Sequence, residues 1–220
     1  MIALTPNECR VLGVLIEKAQ TTPGQYPLTL NGMVNGANQK QNRDPVMNLD
    51  EERVQDAVDG LRSKGLAREV ILTGSRVDKY RHVTRDVLKV NDAQVVILAE
   101  LLLRGPQTVG EIRGRASRMH PLDSTEMVAR ELEEMRDRTE PLVKDLPPMP
   151  GDRAARYMQL LCPNLHDVNA VRRSETSEDP GHVVISGGRA DGFAERIDKL
   201  EGEVEMLRSE VAKLKEALGG

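Results

Sequence analysis

The side chains able to do chemistry in this chain are few, and their spacing argues against a catalytic centre. His82, His120, His166 and His182 are its histidines, and none stands at a metal-ligand spacing or in a Gly-x-Ser-x-Gly or Cys-His arrangement. No glycine loop is placed to cradle a phosphate, because Gly187-Gly188 lies in a polar, aperiodic stretch. Adjacent carboxylates such as Glu133-Glu134 fall on a charge-rich helical pattern and read as a solvated face. Cys9 and Cys162 are the two cysteines. A disulfide or a two-cysteine metal site is weighed against buried thiols. The buried reading is preferred, since Cys9 sits in an apolar helical pattern and Cys162 directly before Pro163. The chain therefore reads as a non-enzymatic binding protein without a cofactor.

Composition narrows what could be bound. The 220 residues carry a net charge of -4, so no global attraction draws the chain to nucleic acid, and any such contact must come from local patches. Tyr26, Tyr80, Tyr157 and Phe193 are the aromatic residues, too few for the base-stacking platforms of single-strand and RNA modules. No secretory-type apolar run follows Met1, and no run approaches the roughly 20 apolar residues of a spanning helix. A cytoplasmic, reduced protein without membrane contact is expected.

The elements that must position any site come in two matching sets. In residues 1–89, Thr5-Pro6-Asn7-Glu8 forms a capping box and opens a helix with Val11, Leu12, Leu15 and Ile16 inward, stopped by Thr22-Pro23-Gly24. Thr29 opens a short helix with Leu30, Met33, Val34 and Ala37 as its stripe, ending before Pro45 at the latest. Asn48, with Glu51, caps a third helix whose inner face is Val54, Ala57, Val58 and Leu61 and which Gly65 ends. Leu66–Leu72 and Val77–Val83 then read as a hairpin around Thr73-Gly74-Ser75-Arg76.

The same order returns in residues 90–162. Asn91-Asp92-Ala93-Gln94 and Thr108-Val109-Gly110-Glu111 are capping boxes, and Asp123-Ser124-Thr125-Glu126 caps the third helix. An offset of 74 residues pairs Val54 with Val128, Val58 with Leu132, Leu61 with Met135 and Arg62 with Arg136. A second hairpin is expected over Leu142–Leu146 and Ala154–Leu161. The fold class is mainly α with small β-hairpin wings (α+β): two tandem winged helix-turn-helix domains.

Asn38-Gln39-Lys40-Gln41-Asn42-Arg43-Asp44-Pro45-Val46-Met47, Arg104-Gly105-Pro106-Gln107-Thr108, Pro141-Leu142-Val143, and Pro150-Gly151 with Arg153, Arg156 and Tyr157 carry a resemblance. Together they resemble the YceH-like family of uncharacterised bacterial proteins over roughly residues 1–162. The resemblance implies tandem winged helices and no established activity. Gln41 departs from the serine more usual there.

In a helix-turn-helix the third helix enters the major groove. Here its outer face carries Glu52, Asp56, Asp59 and Ser63, and the second copy carries Glu126, Arg130, Glu133 and Asp137. Carboxylates between phosphate rows are repelled, so deep insertion of either helix is disfavoured. Backbone contact is left to Lys40 and Arg43 at the turn, Arg76, Lys79 and Arg81 in the first wing, Arg113, Arg115 and Arg118 on the second middle helix, and Arg153 and Arg156 in the second wing. The competing reading makes the acidic faces a landing site for a basic protein partner. The Asn38–Asp44 segment either contacts a ligand or satisfies the backbone of a long turn, with the structural reading preferred.

Residues 163–190 read as a flexible linker. In 191–220, Ile197, Val204 and Val211 take a positions and Leu200, Leu207 and Leu214 d positions of a heptad pattern that continues to Leu218, which favours a parallel two-stranded coil. Arg196 with Glu201, Glu203 with Arg208 and Glu210 with Lys215 would then face each other attractively across a homodimer. The expected function is a DNA-associated regulator that grips double-stranded DNA through wings and middle helices. The alternative is a protein-interaction scaffold.

Overall fold

One element order, used twice, builds the protein. The computed structural model describes residues 2–70, 77–148 and 154–166. The first run is α1 (Pro6–Thr21), a 3-10 turn at Pro23–Gln25, β1 (Leu28–Thr29), α2 (Leu30–Ala37), α3 (Glu51–Ser63), β2 (Ala67–Val70) and β3 (Lys79–His82). A short helix, α4 (Thr84–Leu88), leads into α5 (Asp92–Arg104), β4 (Gln107–Thr108), α6 (Val109–Ala116), α7 (Thr125–Arg136), β5 (Val143–Leu146) and β6 (Arg156–Gln159). The described residues thus form a mixed α/β chain of seven α-helices and small antiparallel sheets.

Local sequence explains the helix starts. Thr5 Oγ1 accepts the Glu8 amide at 3.2 Å while Glu8 Oε2 accepts the Thr5 amide at 2.7 Å. Asn91 with Gln94 and Thr108 with Glu111 repeat this reciprocal pairing, which satisfies amides that have no partner inside the helix. The third helices start slightly later than expected. Asp50, not Asn48, caps α3, its Oδ1 accepting the Arg53 amide at 2.9 Å. Ser124 caps α7, its Oγ accepting the Met127 amide at 3.1 Å. The reason at α3 is that the Asn38 side chain grips Leu49 from both sides, amide and carbonyl each at 2.7 Å, and holds the chain extended up to Asp50. Gly65, at φ +74°, ends α3 in the left-handed conformation that glycine adopts freely.

Each expected hairpin gains a third strand. The sheets run β1-β3-β2 and β4-β6-β5, with Leu28 opposite Tyr80 and Gln107 opposite Tyr157. A two-residue strand is too short to show period-two alternation, so sequence reading sees only the helix cap that follows it. Thr29 and Thr108 end these strands and cap α2 and α6 at once.

The two runs share one hydrophobic core. In α5 every residue from Ala93 to Leu103 is buried, and a helix apolar all round must be covered on all sides. α1 supplies part of that cover. Gly13 lies at the closest approach, where a Cβ would sit 2.8 Å from Leu103 Cγ and 3.4 Å from Leu102 Cβ. The inner faces expected from the repeat register, Val54, Val58 and Leu61 with Val128, Leu132 and Met135, are all fully buried. The described residues belong to one compact unit. Packing continues through Leu165 and His166, four residues past the sequence-read end of the second repeat at 162. The heptad residues Ile197, Leu200, Val204, Leu207, Val211, Leu214 and Leu218 lie outside the described residues.

Candidate functional site

Five of the eight described basic residues nominated for phosphate contact are committed to the protein itself. Arg43 is buried in the α2–α3 connection. Its Nη2 and Nη1 reach Glu17 Oε2 and Oε1 at 2.6 and 3.3 Å, its Nη1 also donates to the Asn42 carbonyl at 2.7 Å, and its Nε donates to the Gly36 carbonyl at 3.0 Å. Arg118, just beyond α6, donates to the same Glu17 at 2.7 Å and lies 3.8 Å from Glu100 on α5. Arg104 pairs with Glu100 at 3.0 Å and hydrogen-bonds the Asn42 side chain. Arg115 donates to Gln107 at 2.8 Å, and Arg113 donates to the carbonyls of Leu122 and Asp123 at 3.2 and 2.9 Å. Arg156 is buried in β6 opposite Leu146 and Thr108. Arg43 and Arg156 are therefore not surface phosphate ligands, and Arg118 is shared between two carboxylates.

These contacts form a clasp between the repeats. The Asp44 amide donates to the Leu103 carbonyl at 2.8 Å, His166 Nε2 lies 2.7 Å from the Asp44 carbonyl, and Arg10 donates to the carbonyls of Ala37 and Pro45. Asn42 reaches its position at φ +62°, a left-handed conformation that asparagine tolerates better than most residues. The Asn38–Asp44 motif thus docks the first repeat onto the end of α5, next to the Arg104–Thr108 motif, and satisfies backbone groups throughout. Of the two readings of that segment, its geometry is the structural one.

Burial and neighbouring charges shift the titration of the clasp groups. Burial alone would push the Glu17 carboxyl up, but hydrogen bonds and charge from Arg43, then Arg118, more than offset it and bring the pKa to about 2. Burial pushes the Glu100 carboxyl up, opposed by Arg104 and Arg118. Burial, helped by Arg43, brings Arg10 down to about 10.

What stays open is the outer face of the first sheet. Arg68 and Arg81 stand directly opposite each other on β2 and β3, both exposed. Lys79, opposite Thr29 and Val70, shares that face by the period-two alternation of a strand. None of the three makes an ion pair among the described residues. The inner face carries Ala67, Leu28 and Tyr80, all buried. Arg68 was not among the residues nominated from sequence, although the hairpin turn expected there at 73–76 would pair 68 with 81, as the strands do. Lys40 is exposed on the α2–α3 connection; Arg76 and Arg153 lie outside the described residues.

The acidic faces are where the helical pattern put them. Glu52, Asp56 and Asp59 on α3 are exposed, as are Glu126 and Glu133 on α7 and Asp137 at its end. Asp59 accepts Gln55 and Arg62 at 2.9 Å each, and those bonds hold its carboxyl below the usual range. Arg62 also reaches Glu69 at 2.9 Å and lies over the Tyr80 ring, tying α3 to the first sheet. Cys9 and Cys162 are both buried and unlinked. No group of three or more metal-ligating side chains occurs among the described residues, and none of their helices is long and apolar enough to cross a membrane.

A doubled helix–sheet unit locked by a buried arginine–glutamate clasp is the class of protein these observations define. The chain belongs to the family described as "Protein of unknown function, DUF480", which its residues 4–152 match. It is 45% identical over 212 residues to a UPF0502 protein of Pelobacter propionicus, covering 96% of this chain and 93% of the relative. A UPF0502 protein of Geobacter sulfurreducens is 46% identical over 208 residues, covering 94% and 90%. One from Shewanella sp. is 40% identical over 219 residues, covering 98% and 96%. The resemblance read from the motifs is thereby borne out at the level of family.

Proposed function

We propose that this is a non-enzymatic tandem winged-helix protein that associates with the backbone of double-stranded DNA, chiefly through the wing of its first repeat. The observation that carries the reading is the outer face of the first sheet, where Arg68, Lys79 and Arg81 stand together without an acidic partner among the described residues. Directly opposed like charges on a sheet are destabilising, so the arrangement costs the free protein something that an approaching row of phosphates would return. The element order, three helices with a short strand between the first two and the wing as the last two strands of the same antiparallel sheet, supports the winged-helix reading. The acidic α3 and α7 keep the third helices out of the groove, which leaves affinity without much sequence discrimination.

The test is a salt titration of the full-length protein against random-sequence duplex DNA. Three neutralised phosphates give a slope of log affinity on log salt of about -2.7. Arg68→Glu with Lys79→Glu should lower affinity on every sequence and flatten the slope by about 2. Arg68→Glu also creates an attractive pair with Arg81, so the variant should fold. Absence of binding at low salt would remove the DNA reading. Charge reversal of Arg115 or Arg118 is a poorer test, because it would break the clasp as well.

The second reading, a scaffold for a basic protein partner, is favoured by the exposure of Glu52, Asp56, Glu126 and Glu133. Reversal of Glu52 and Asp56 to lysine discriminates the two: it should abolish partner capture under this reading and strengthen DNA binding under the first.

A further inference from the structure

The acidic and basic faces of the first repeat border one groove. Asp59, Arg62 and Ser63 of α3 form one wall, and Arg68 and Glu69 of β2 the other. Arg62 bridges the walls, pairing with Asp59 and with Glu69 at 2.9 Å each. From Asp59 the acidic wall runs back along α3 through Asp56 and Glu52, which the helical period places on one stripe about 10 Å long. From Arg68 the basic wall runs across to Arg81, directly opposite on β3, and then about 7 Å along that strand to Lys79.

Each wall carries charge that the chain itself leaves unused. Arg62 occupies Asp59 and Glu69, but Glu52, Asp56, Arg68, Lys79 and Arg81 hold no ion pair among the described residues. Arg68 and Arg81 also oppose each other across the sheet, and like charges so placed are destabilising. The two walls are opposite in sign, similar in length and joined by the groove. Such a surface is complementary to itself. A twofold axis through the groove lays the acidic stripe of each copy on the basic face of the other and closes the contact at two copies.

We infer that the first repeat binds a second copy of this chain groove to groove, with Glu52 and Asp56 of each copy facing Arg68, Lys79 and Arg81 of the other. The inference stands apart from the DNA reading and names the basic partner that the second reading leaves open. Exposed ion pairs of this kind select partner and register more than they supply affinity, so the contact is weak and salt-sensitive. It covers the same cations that phosphate would meet. Self-association and duplex binding therefore exclude each other at this face.

The test mixes isotopically light and heavy full-length protein and treats it with a carbodiimide, which condenses a carboxyl with an amine in direct contact. Peptide mapping by mass spectrometry should find Lys79 of one isotope joined to Glu52 or Asp56 of the other. The yield should fall away between about 0.1 and 1 M salt, as the screening length shortens from about 10 to about 3 Å. Arg68→Glu with Arg81→Glu keeps Lys79 and both carboxylates, yet on its own should lose the cross-link. Adding the Glu52→Lys, Asp56→Lys protein should restore it, between Lys79 of that variant and Glu52 or Asp56 of the first, because each wall again meets its opposite. All four substituted positions are exposed, so the variants should fold. Absence of mixed-isotope cross-links at low salt, a yield indifferent to salt, or an Arg68→Glu, Arg81→Glu protein that cross-links like the wild type would overturn the inference. None of these outcomes bears on the DNA titration, which duplex binding decides by itself.

Discussion

Glu17 shows what a single residue contributes when its partners come from far along the chain. It is 2% exposed at its side chain and receives Arg43, 26 positions away, and Arg118, 101 positions away. Removing one member of a buried ion pair typically costs about 3–5 kcal/mol, because the remaining charge loses its partner and stays desolvated. Glu17→Gln should therefore lower unfolding free energy at pH 7 by about that amount, measured by urea denaturation. The pH dependence follows from the carboxyl's folded pKa of about 2, below its unfolded value. The stabilisation is complete above about pH 4.5 and is lost as pH falls toward 2. The gap between wild type and Glu17→Gln should close over that window; a constant gap would mean that the carboxylate charge is not what the arginines need. His82 adds acid sensitivity at higher pH. Burial, then Arg81, brings its pKa down to about 4, so the unfolded chain takes up the proton first and stability falls between about pH 6.5 and 4. His82→Gln should flatten the stability profile there.

At the scale of elements, the contact of α1 with α5 is the tightest constraint. Alanine is favoured over glycine in a helix by about 1 kcal/mol, so Gly13→Ala would stabilise α1 if α1 stood alone. In the folded chain the new methyl would meet Leu103 at 2.8 and 2.9 Å, and overpacking of this kind costs about 1–3 kcal/mol. Net destabilisation is expected. Gly114 on α6 is the control, since nothing lies within 4 Å of where its Cβ would be. Gly114→Ala should stabilise by about 0.5–1 kcal/mol. Thermal unfolding of the two variants side by side checks both signs. If both raised the midpoint, α1 and α5 would have room that the packing does not show.

For the whole molecule, repetition does not mean independence. A freed α5 would expose apolar surface on every side, and a freed first repeat would leave Glu17 without Arg118 and Asp44 without Leu103. Residues 1–89 and 90–166 expressed separately should show no cooperative unfolding by circular dichroism, while the full chain unfolds its packed region in one transition. A folded, monomeric 1–89 would refute this. The heptad pattern of residues 191–220 makes a separate prediction: sedimentation should give a dimer for the full chain and a monomer for residues 1–190.

Helix positions were legible in the sequence because they depend on neighbours three and four residues apart. The capping boxes at Thr5, Asn91 and Thr108, the stop at Gly65 and the inner faces of α3 and α7 are local facts, and the shared register exposed the repeat. The basic outer face of the first sheet was half legible, since Lys79 and Arg81 stood out while Arg68 followed only from carrying the hairpin register through. The fates of Arg43, Arg118 and Arg156 were not legible at all. An arginine that grips phosphate and one that neutralises a buried glutamate are the same residue in sequence, and only the partner tells them apart. For Arg118 that partner is 101 positions away. Cys9 and Cys162 read as buried thiols from their local patterns, and both are buried. Local spacing determined the elements; tertiary structure decided which charges are spent inside and which remain to meet a partner.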